Sequence, residues 1–448
     1  MAFGLVGEKS DKLEKSVLGM TRRDAVCLLF VAAWPFVFFV RAIVADTPYS
    51  LSIGNDFQAL YFNYKTYLLD FLVSGHLPLW SPLEGAGYPF YANPFAQALY
   101  PLNVPLAFLY WLNDGYSLVD HQRFSVAGVS IFAVGLYLWL RVLEVSRRAV
   151  LFAVLISVAS FKLGEILRFP NAVHAAAWLP WLALGVVVAR HAGQGAKAAS
   201  ILFFATVCLL TAGYPYYAYY ALLVLPLYAL LVLVAGPAFC SHGGPEVLLA
   251  PRRQYLWALL APVILAGTVC SPYLLKVLFV LSGTVDRGGS DYEYATGESF
   301  GPIDSLASLV YPPAASPEGW YFFSCGALVL LLTWFGAAAM RKTGSHRQTI
   351  IVGAAFFAFV TYVTWGRESH LFDLLWHHMP GFSSLRVWGR FNIVLVPMIA
   401  LALCRAYVYF EELLQVAAAD GKALLGRTAV LSIACAFVLG AQFWLASE

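Results

Sequence analysis

The sequence predicts an all-α polytopic membrane protein with about eleven transmembrane helices and a large first extracytoplasmic loop carrying interfacial helices. Three observations predict it. Only 12% of the 448 residues are charged, against roughly 25% in a soluble domain. Apolar residues including Tyr make up 60%, with a mean hydropathy of +0.72. The uncharged residues fall in long runs separated by short basic segments. Such a chain cannot hide its apolar side chains in one aqueous core, which excludes a soluble enzyme, a disordered chain, a coiled coil and a disulfide scaffold. The net charge of +3 suggests no nucleic-acid partner. The seven Cys include no CxxC pair and sit mostly in apolar runs, so neither disulfides nor a Cys-ligated metal is expected.

The runs free of Asp, Glu, Lys and Arg are 25–40, 124–140, 149–161, 169–189, 198–245, 254–275, 319–340, 348–366, 391–404 and 428–447. The run 198–245 is too long for one helix and is broken by Gly213-Tyr214-Pro215, which reads as a tight turn between two helices. The first run lacks a small-residue cleavage site and reads as an uncleaved first span. Residues 85–113 are also uncharged but contain Pro89, Pro94, Pro101 and Pro105. If this segment does not cross, the pairs Arg252-Arg253 and Arg341-Lys342 lie in the cytoplasm with most of the other basic residues. The positive-inside rule favours that map, and the prolines remove helix donors. The segment 85–113 is therefore expected to be interfacial or re-entrant on the outer face. The chain reads as one domain over 1–448, with its N-terminus in the cytoplasm and two large outer segments, 45–123 and 282–320.

Candidate chemistry collects in the outer segments. Asp56 follows a Gly-Asn turn and opens an amphipathic stretch, Phe57 to Val73. It reads either as an N-cap or as a carboxylate acting as general base. His76, Trp80, Tyr88 and Asn93 lie in Gly- and Pro-punctuated segments that form tight turns; the plain reading is an interfacial loop. Lys162, Glu165 and Arg168 recur at i, i+3 and i+6 near an outer helix end, so they are neighbours, either paired among themselves or binding an anion. His174 at a helix start reads as structural. Tyr214 and its neighbours 216, 217, 219 and 220 read as an aromatic belt, with a sugar-stacking face as the alternative. Arg386 and Arg390, four apart, are expected on one helical face, inviting a lipid phosphate or a salt bridge to an acidic outer loop. There is no Walker loop, HExxH, GxSxG or lumenal DxD pair.

An ordered set of these segments resembles the YfhO family of bacterial membrane proteins. It comprises Asp56, Gly75-His76-Leu77-Pro78-Leu79-Trp80-Ser81-Pro82, Gly87-Tyr88-Pro89, Ala92-Asn93-Pro94 and Tyr100-Pro101-Leu102-Asn103. It continues through Ala177-Trp178-Leu179-Pro180-Trp181, Gly213-Tyr214-Pro215, Tyr311-Pro312 and Pro380 to Phe391. That family is similar to GT-C glycosyltransferases, which take a sugar from a polyprenyl-phosphate carrier on the outer face of the membrane. Members are often longer than this chain, which fits a short member or a truncated one.

The resemblance implies a glycosyltransferase of the bacterial inner membrane with a periplasmic active site. The donor is a polyprenyl-phosphate sugar and the acceptor an envelope glycan, lipid or protein. It implies Asp56 as catalytic base and His76, Trp80, Tyr88, Asn93, His174 and Tyr214 as substrate-lining residues. Lys162, Arg168, Arg386 and Arg390 are expected to hold the donor phosphate. A monophosphate leaving group lets basic side chains replace a metal, so no cofactor is expected, although a divalent metal is compatible. The alternatives are a flippase for a lipid-linked saccharide, which predicts midplane charges and paired broken helices, and a non-catalytic envelope-assembly subunit.

Overall fold

The computed structural model describes residues 21–44, 53–54, 56–235, 249–282, 291–297, 299–311, 318–339 and 345–419. Among them the regular structure is helical, and the β pairing is confined to the isolated bridges Ser81 to Tyr88 and His191 to Leu249. The uncharged runs up to residue 404 each hold a helix; the last, 428–447, lies outside the described residues. The break within 198–245 falls where the sequence puts it, between Gly195–Thr211 and Pro215–Ala235.

The described helices support a membrane-type helical fold without giving the full count of eleven spans. Among the described residues, five helices are long and apolar enough to cross a membrane: Leu118–Val142, Pro170–Arg190, Pro215–Ala235, Arg252–Val280 and Trp388–Glu412. A sixth is counted if Arg147–Val158 and Phe161–Arg168, bent by 46°, form one broken span. Some helices are shorter than the uncharged runs that hold them. The run 319–340, for example, is extended to Ser324, and its helix is only Cys325–Ala339. Residues 85–113 form short 3-10 turns at Phe90–Ala92 and Pro94–Ala96 and the helix Asn103–Asn113. Its 11 residues reach roughly 16 Å, about half the hydrocarbon thickness.

Helix Leu118–Val142 packs against Arg22–Phe38, Arg147–Val158 and Leu179–Arg190. Its start is fixed by a capping box: the Ser117 hydroxyl accepts from Asp120 N at 3.2 Å, and the Asp120 carboxylate accepts from Ser117 N at 3.1 Å. The apolar side chains left outside identify the solvent. On Arg252–Ser282, Trp257, Ile264, Val269, Leu275 and Phe279 are all more than half exposed. A helix that presents such a surface is covered by lipid or protein, not water, and the protein is a membrane protein on this evidence.

The turns sort into two ends. At one end Asp24 accepts from Arg147 at 2.9 Å and Arg141 at 3.2 Å. The other end gathers the first loop segment, the 160–171 turn, the Gly213 turn, 318–324 and 382–392. Here Gln97 Nε2 donates to Ala212 O at 2.7 Å, and Asn171 Nδ2 donates to Pro94 O at 3.0 Å. Gly213 makes this docking possible. Its φ is +79°, and a Cβ there would lie 1.9 Å from Pro94 O. Gly213→Ala is expected to lower the thermal midpoint through left-handed strain of roughly 1–2 kcal/mol and loss of that contact. Gly267→Ala, which meets nothing within 4 Å in a helix, is expected to raise it by about 0.5–1 kcal/mol equivalent. Thermal unfolding of both variants in detergent checks this; equal shifts would contradict the docking.

Candidate functional site: a charged knot beside an apolar cavity

The helix Arg147–Val158 ends at Ala159, and the chain re-enters a short helix, Phe161–Glu165, followed by a 3-10 turn, Ile166–Arg168. Phe161 N donates to Phe322 O at 2.9 Å, which fastens this turn to the extended segment 320–324. The spacing of Lys162, Glu165 and Arg168 then has its expected effect. Lys162 is fully buried and donates to Glu165 Oε2 at 3.3 Å, and Arg168 donates to Glu165 Oε1 at 2.9 and 3.2 Å.

A second carboxylate closes the group. Glu318 Oε1 lies 3.4 Å from Arg168, Glu318 Oε2 accepts from Arg390 Nε, and the Glu318 carbonyl accepts from Lys162 Nζ. Three cations thus share two carboxylates, leaving one formal positive charge. The Arg390 guanidinium stands 5.0 Å from the Tyr216 ring, 5.8 Å from Tyr214 and 5.9 Å from Phe169, and Arg168 lies 4.6 Å from Phe169. Burial alone would raise the Glu318 carboxyl. The hydrogen bond from Arg390 and the charges of Arg390, Arg168 and Lys162 outweigh it and hold the group below its ordinary value. A depressed carboxylate contributes stability above its unfolded value of 4.5, and that contribution is lost as pH falls through the folded value.

Two glycines let these parts meet. A Cβ on Gly389 would stand 2.8 Å from Gly319 Cα, and one on Gly319 would stand 2.1 Å from the Phe300 ring. Asn392 Nδ2 also donates to Gly319 O at 2.8 Å. Glu318 and Arg390 are therefore brought together by direct backbone approach. Sequence reading missed Glu318, because it stands at the edge of an uncharged run with its partners far along the chain.

The structure corrects other expectations. Arg386 and Arg390 do not share one helical face: Val387 takes a left-handed φ of +56°, and only from Trp388 does a 3-10 helix run on to Val394. Arg386 is half-buried before this break, and the ion pair to Glu318 is made by Arg390. Tyr214, Tyr216, Tyr217 and Tyr220 are not a lipid-facing belt; all four are buried, because the Gly213 turn directs the start of Pro215–Ala235 inward. His174 lines no open site. Trp178 Nε1 donates to Tyr100 Oη at 3.1 Å, which leaves the Tyr100 proton for His174 Nδ1 at 3.0 Å. His174 Nε2 then carries its proton and donates to Phe124 O at 2.9 Å, so both ring nitrogens are satisfied in the core.

The loop residues have separate places. His76 and Trp80 are exposed. Tyr88 is half-buried and pairs with Ser81 through two backbone bonds of 2.9 Å. Asn93 Oδ1 accepts from Phe95 N at 3.0 Å, a turn-capping role. Asp56 is exposed at the start of the π-helical turn Phe57–Phe62 and makes no capping hydrogen bond, so the N-cap reading does not describe it. Its turn reaches the knot through Tyr61, whose ring lies 6.3 Å from Phe169.

The first loop also hides a group the sequence reading passed over. Lys65 on Asn63–Val73 is fully buried, donates to Asn103 Oδ1 at 2.8 Å and lies 5.0 Å from the Phe124 ring. Burial pushes its pKa down to about 7. Segment 318–324 also walls an apolar cavity of about 680 Å³. Tyr321, Phe323 and Ser324 from that segment line it, with Tyr228, Leu331 and Met398 from the surrounding helices. No protein-family model matches the chain, and no curated protein matches it.

Two outcomes follow from these geometries. Glu318→Gln is expected to destabilise by about 3 kcal/mol, the lower end for breaking a buried pair because Glu318 keeps some contact with water. In the double variant with Arg390→Met the loss is expected to be smaller than the sum, and strict additivity in a thermal-unfolding cycle would contradict the pairing. For Lys65 the folded value lies below the ordinary 10.5. The cost of burying its charge is therefore full below about pH 7 and fades towards 10.5. The thermal midpoint of the wild type minus that of Lys65→Met is expected to rise between pH 6.5 and pH 9.5, as checked by unfolding both proteins at about those two values. A flat difference would contradict a neutral buried amine.

Proposed function

We propose that the protein is a membrane glycosyltransferase that moves a sugar from a polyprenyl-phosphate donor to an acceptor hydroxyl. On this reading the fold is of the GT-C kind, as the resemblance to the YfhO family implies. Eleven spans cross a bacterial inner membrane, and the knot faces the periplasm. The acceptor is a glycan, lipid or protein of the cell envelope. The observation that carries the reading is the adjacency of a cationic knot and an apolar cavity on the two ends of one short segment. Glu318 belongs to the knot, while Tyr321, Phe323 and Ser324 line the cavity. A lipid phosphate asks for this pairing of a charged head site with an apolar chain site.

The charge balance supports the chemistry. A sugar bound to a lipid through one phosphate is a phosphodiester with a single negative charge, which the one excess positive charge of the knot neutralises. Asp56 would take the proton of the acceptor hydroxyl as its oxygen attacks the anomeric carbon, with inversion. The bond from that carbon to the phosphate oxygen breaks, and its electron pair goes to the phosphate. Arg168, Lys162 and Arg390 would stabilise the charge that grows there. Arg168 is the most accessible of the three, with 31% of its side chain exposed against 14% for Arg390 and none for Lys162. The lipid monophosphate left behind carries a second charge that the knot does not balance, which favours its release. His76, Trp80, Tyr88 and Asn93 would then form the loop wall on the acceptor side.

Asp56→Asn tests the reading. It keeps the size of the side chain and removes the proton acceptor. Transfer of labelled sugar from a polyprenyl-phosphate donor in membranes is expected to fall by roughly 10²–10⁴-fold with folding intact. Turnover near that of wild type would remove Asp56 from the mechanism and direct the search to Glu84 or Glu293. A chain that binds the donor and never transfers it would instead support a carrier of lipid-linked saccharide.

A further inference from the structure

The helix Pro302–Val310 is built inside out. Ile303, Leu306 and Val310, at i, i+3 and i+7, share one side, and their exposures are 82%, 68% and 53%. The opposite side buries Ser305 and Ser308, with Ala307 and Leu309 partly buried beside them. Ser305 Oγ accepts from Trp365 Nε1 at 3.1 Å, the Ser305 carbonyl accepts from the Tyr321 hydroxyl at 2.5 Å, and Ser308 is fully buried. A helix at a water boundary has the reverse pattern, with its apolar stripe turned to the core. Ser308 and Leu309 stand in the wall of the apolar cavity, and the Ser308 hydroxyl has no hydrogen-bond partner among the described residues.

The surroundings continue the exposed stripe. Cys325–Ala339 packs against this helix, with Cys325 Sγ 3.2 Å from Val310 O, and its Val329 and Leu332 are 62% and 58% exposed. Leu332 also lines the cavity. Exposed apolar side chains therefore stand on both of these packed helices, although the sequence assigns Pro302–Val310 to an outer loop.

We propose that Pro302–Val310 is embedded in the hydrocarbon of the bilayer, with Ile303, Leu306 and Val310 against lipid acyl chains. The helix is the lipid-facing wall of the cavity, so the cavity communicates with the bilayer and not with water. The surface fits lipid chains because Ile303, Leu306 and Val310 make an apolar stripe next to the exposed apolar side of a neighbouring helix, and the charge of this helix, Asp304, stands half-buried in its first turn beside Gly301. This goes beyond the glycosyltransferase reading and does not rest on it.

The test uses the full chain in nanodiscs of phosphatidylethanolamine and phosphatidylglycerol. A benzophenone-bearing amino acid is placed at Ile303 or, separately, at Leu306, and the sample is irradiated. The expected result at both positions is a covalent adduct whose mass shift equals one phospholipid. Recovery of uncrosslinked protein at both positions would mean that the stripe faces water and would overturn the proposal. Crosslinks to a second copy of the chain would overturn it as well, by showing protein and not lipid on this surface. Circular dichroism of each variant before irradiation, matching wild type, ensures that a negative result comes from a folded protein.

Discussion

Three cations sharing two carboxylates at one end of the bundle hold together pieces of chain that are far apart in sequence. Lys162 and Arg168 come from the bend after Arg147–Val158, Glu318 from the segment before Cys325–Ala339, and Arg390 from the turn that opens Leu395–Ala419. Buried charges are expensive unless paired and hydrogen-bonded. The group therefore forms only if all three pieces arrive together, and the backbone contact of Gly319 with Gly389 is what admits Glu318 to Arg390. The same approach sets the start of the segment whose later residues wall the apolar cavity. Charge pairing, close backbone packing and the cavity are thus one construction.

The first loop segment depends on a parallel device at Gly213. The Asn93-Pro94 turn and the Gly213 turn are about as far apart in sequence as the parts of the knot, yet they are in direct contact, with Asn171 donating to both Pro94 O and Gly213 O. Docking there carries Tyr61 and Phe95 towards Phe169, beneath the guanidinium of Arg168. The position of Asp56 relative to the knot is therefore set by a glycine turn and a pair of aromatic contacts, and Asp56 makes no capping hydrogen bond of its own.

Much of the helical layout is legible in the sequence, because the absence of charge and the placing of Gly-Tyr-Pro are local signals. The same is true of Lys162, Glu165 and Arg168, whose spacing alone makes them neighbours. What was not legible depends on pairing at a distance or on local strain. Glu318 looks like the edge of a loop until Arg390 is beside it. Lys65 looks like an ordinary polar residue of an amphipathic helix until Asn103 and Phe124 close over it. Arg386 and Arg390 look like one helical face because nothing in a valine announces the left-handed backbone at Val387. Tyr214 and its neighbours look like a membrane belt because the inward turn at Gly213 is a matter of packing, and composition does not report it.

The central claim is that the knot and the cavity together receive a lipid phosphate. Calorimetry of the purified protein with farnesyl phosphate, farnesol and inorganic phosphate tests it most directly. The account predicts that farnesyl phosphate binds measurably tighter than either part alone. It also predicts that Arg168→Ala weakens this binding by about tenfold, near 1.4 kcal/mol, in protein that remains folded by circular dichroism. Equal binding of farnesyl phosphate and farnesol, or an Arg168→Ala variant that binds farnesyl phosphate as wild type does, would contradict it.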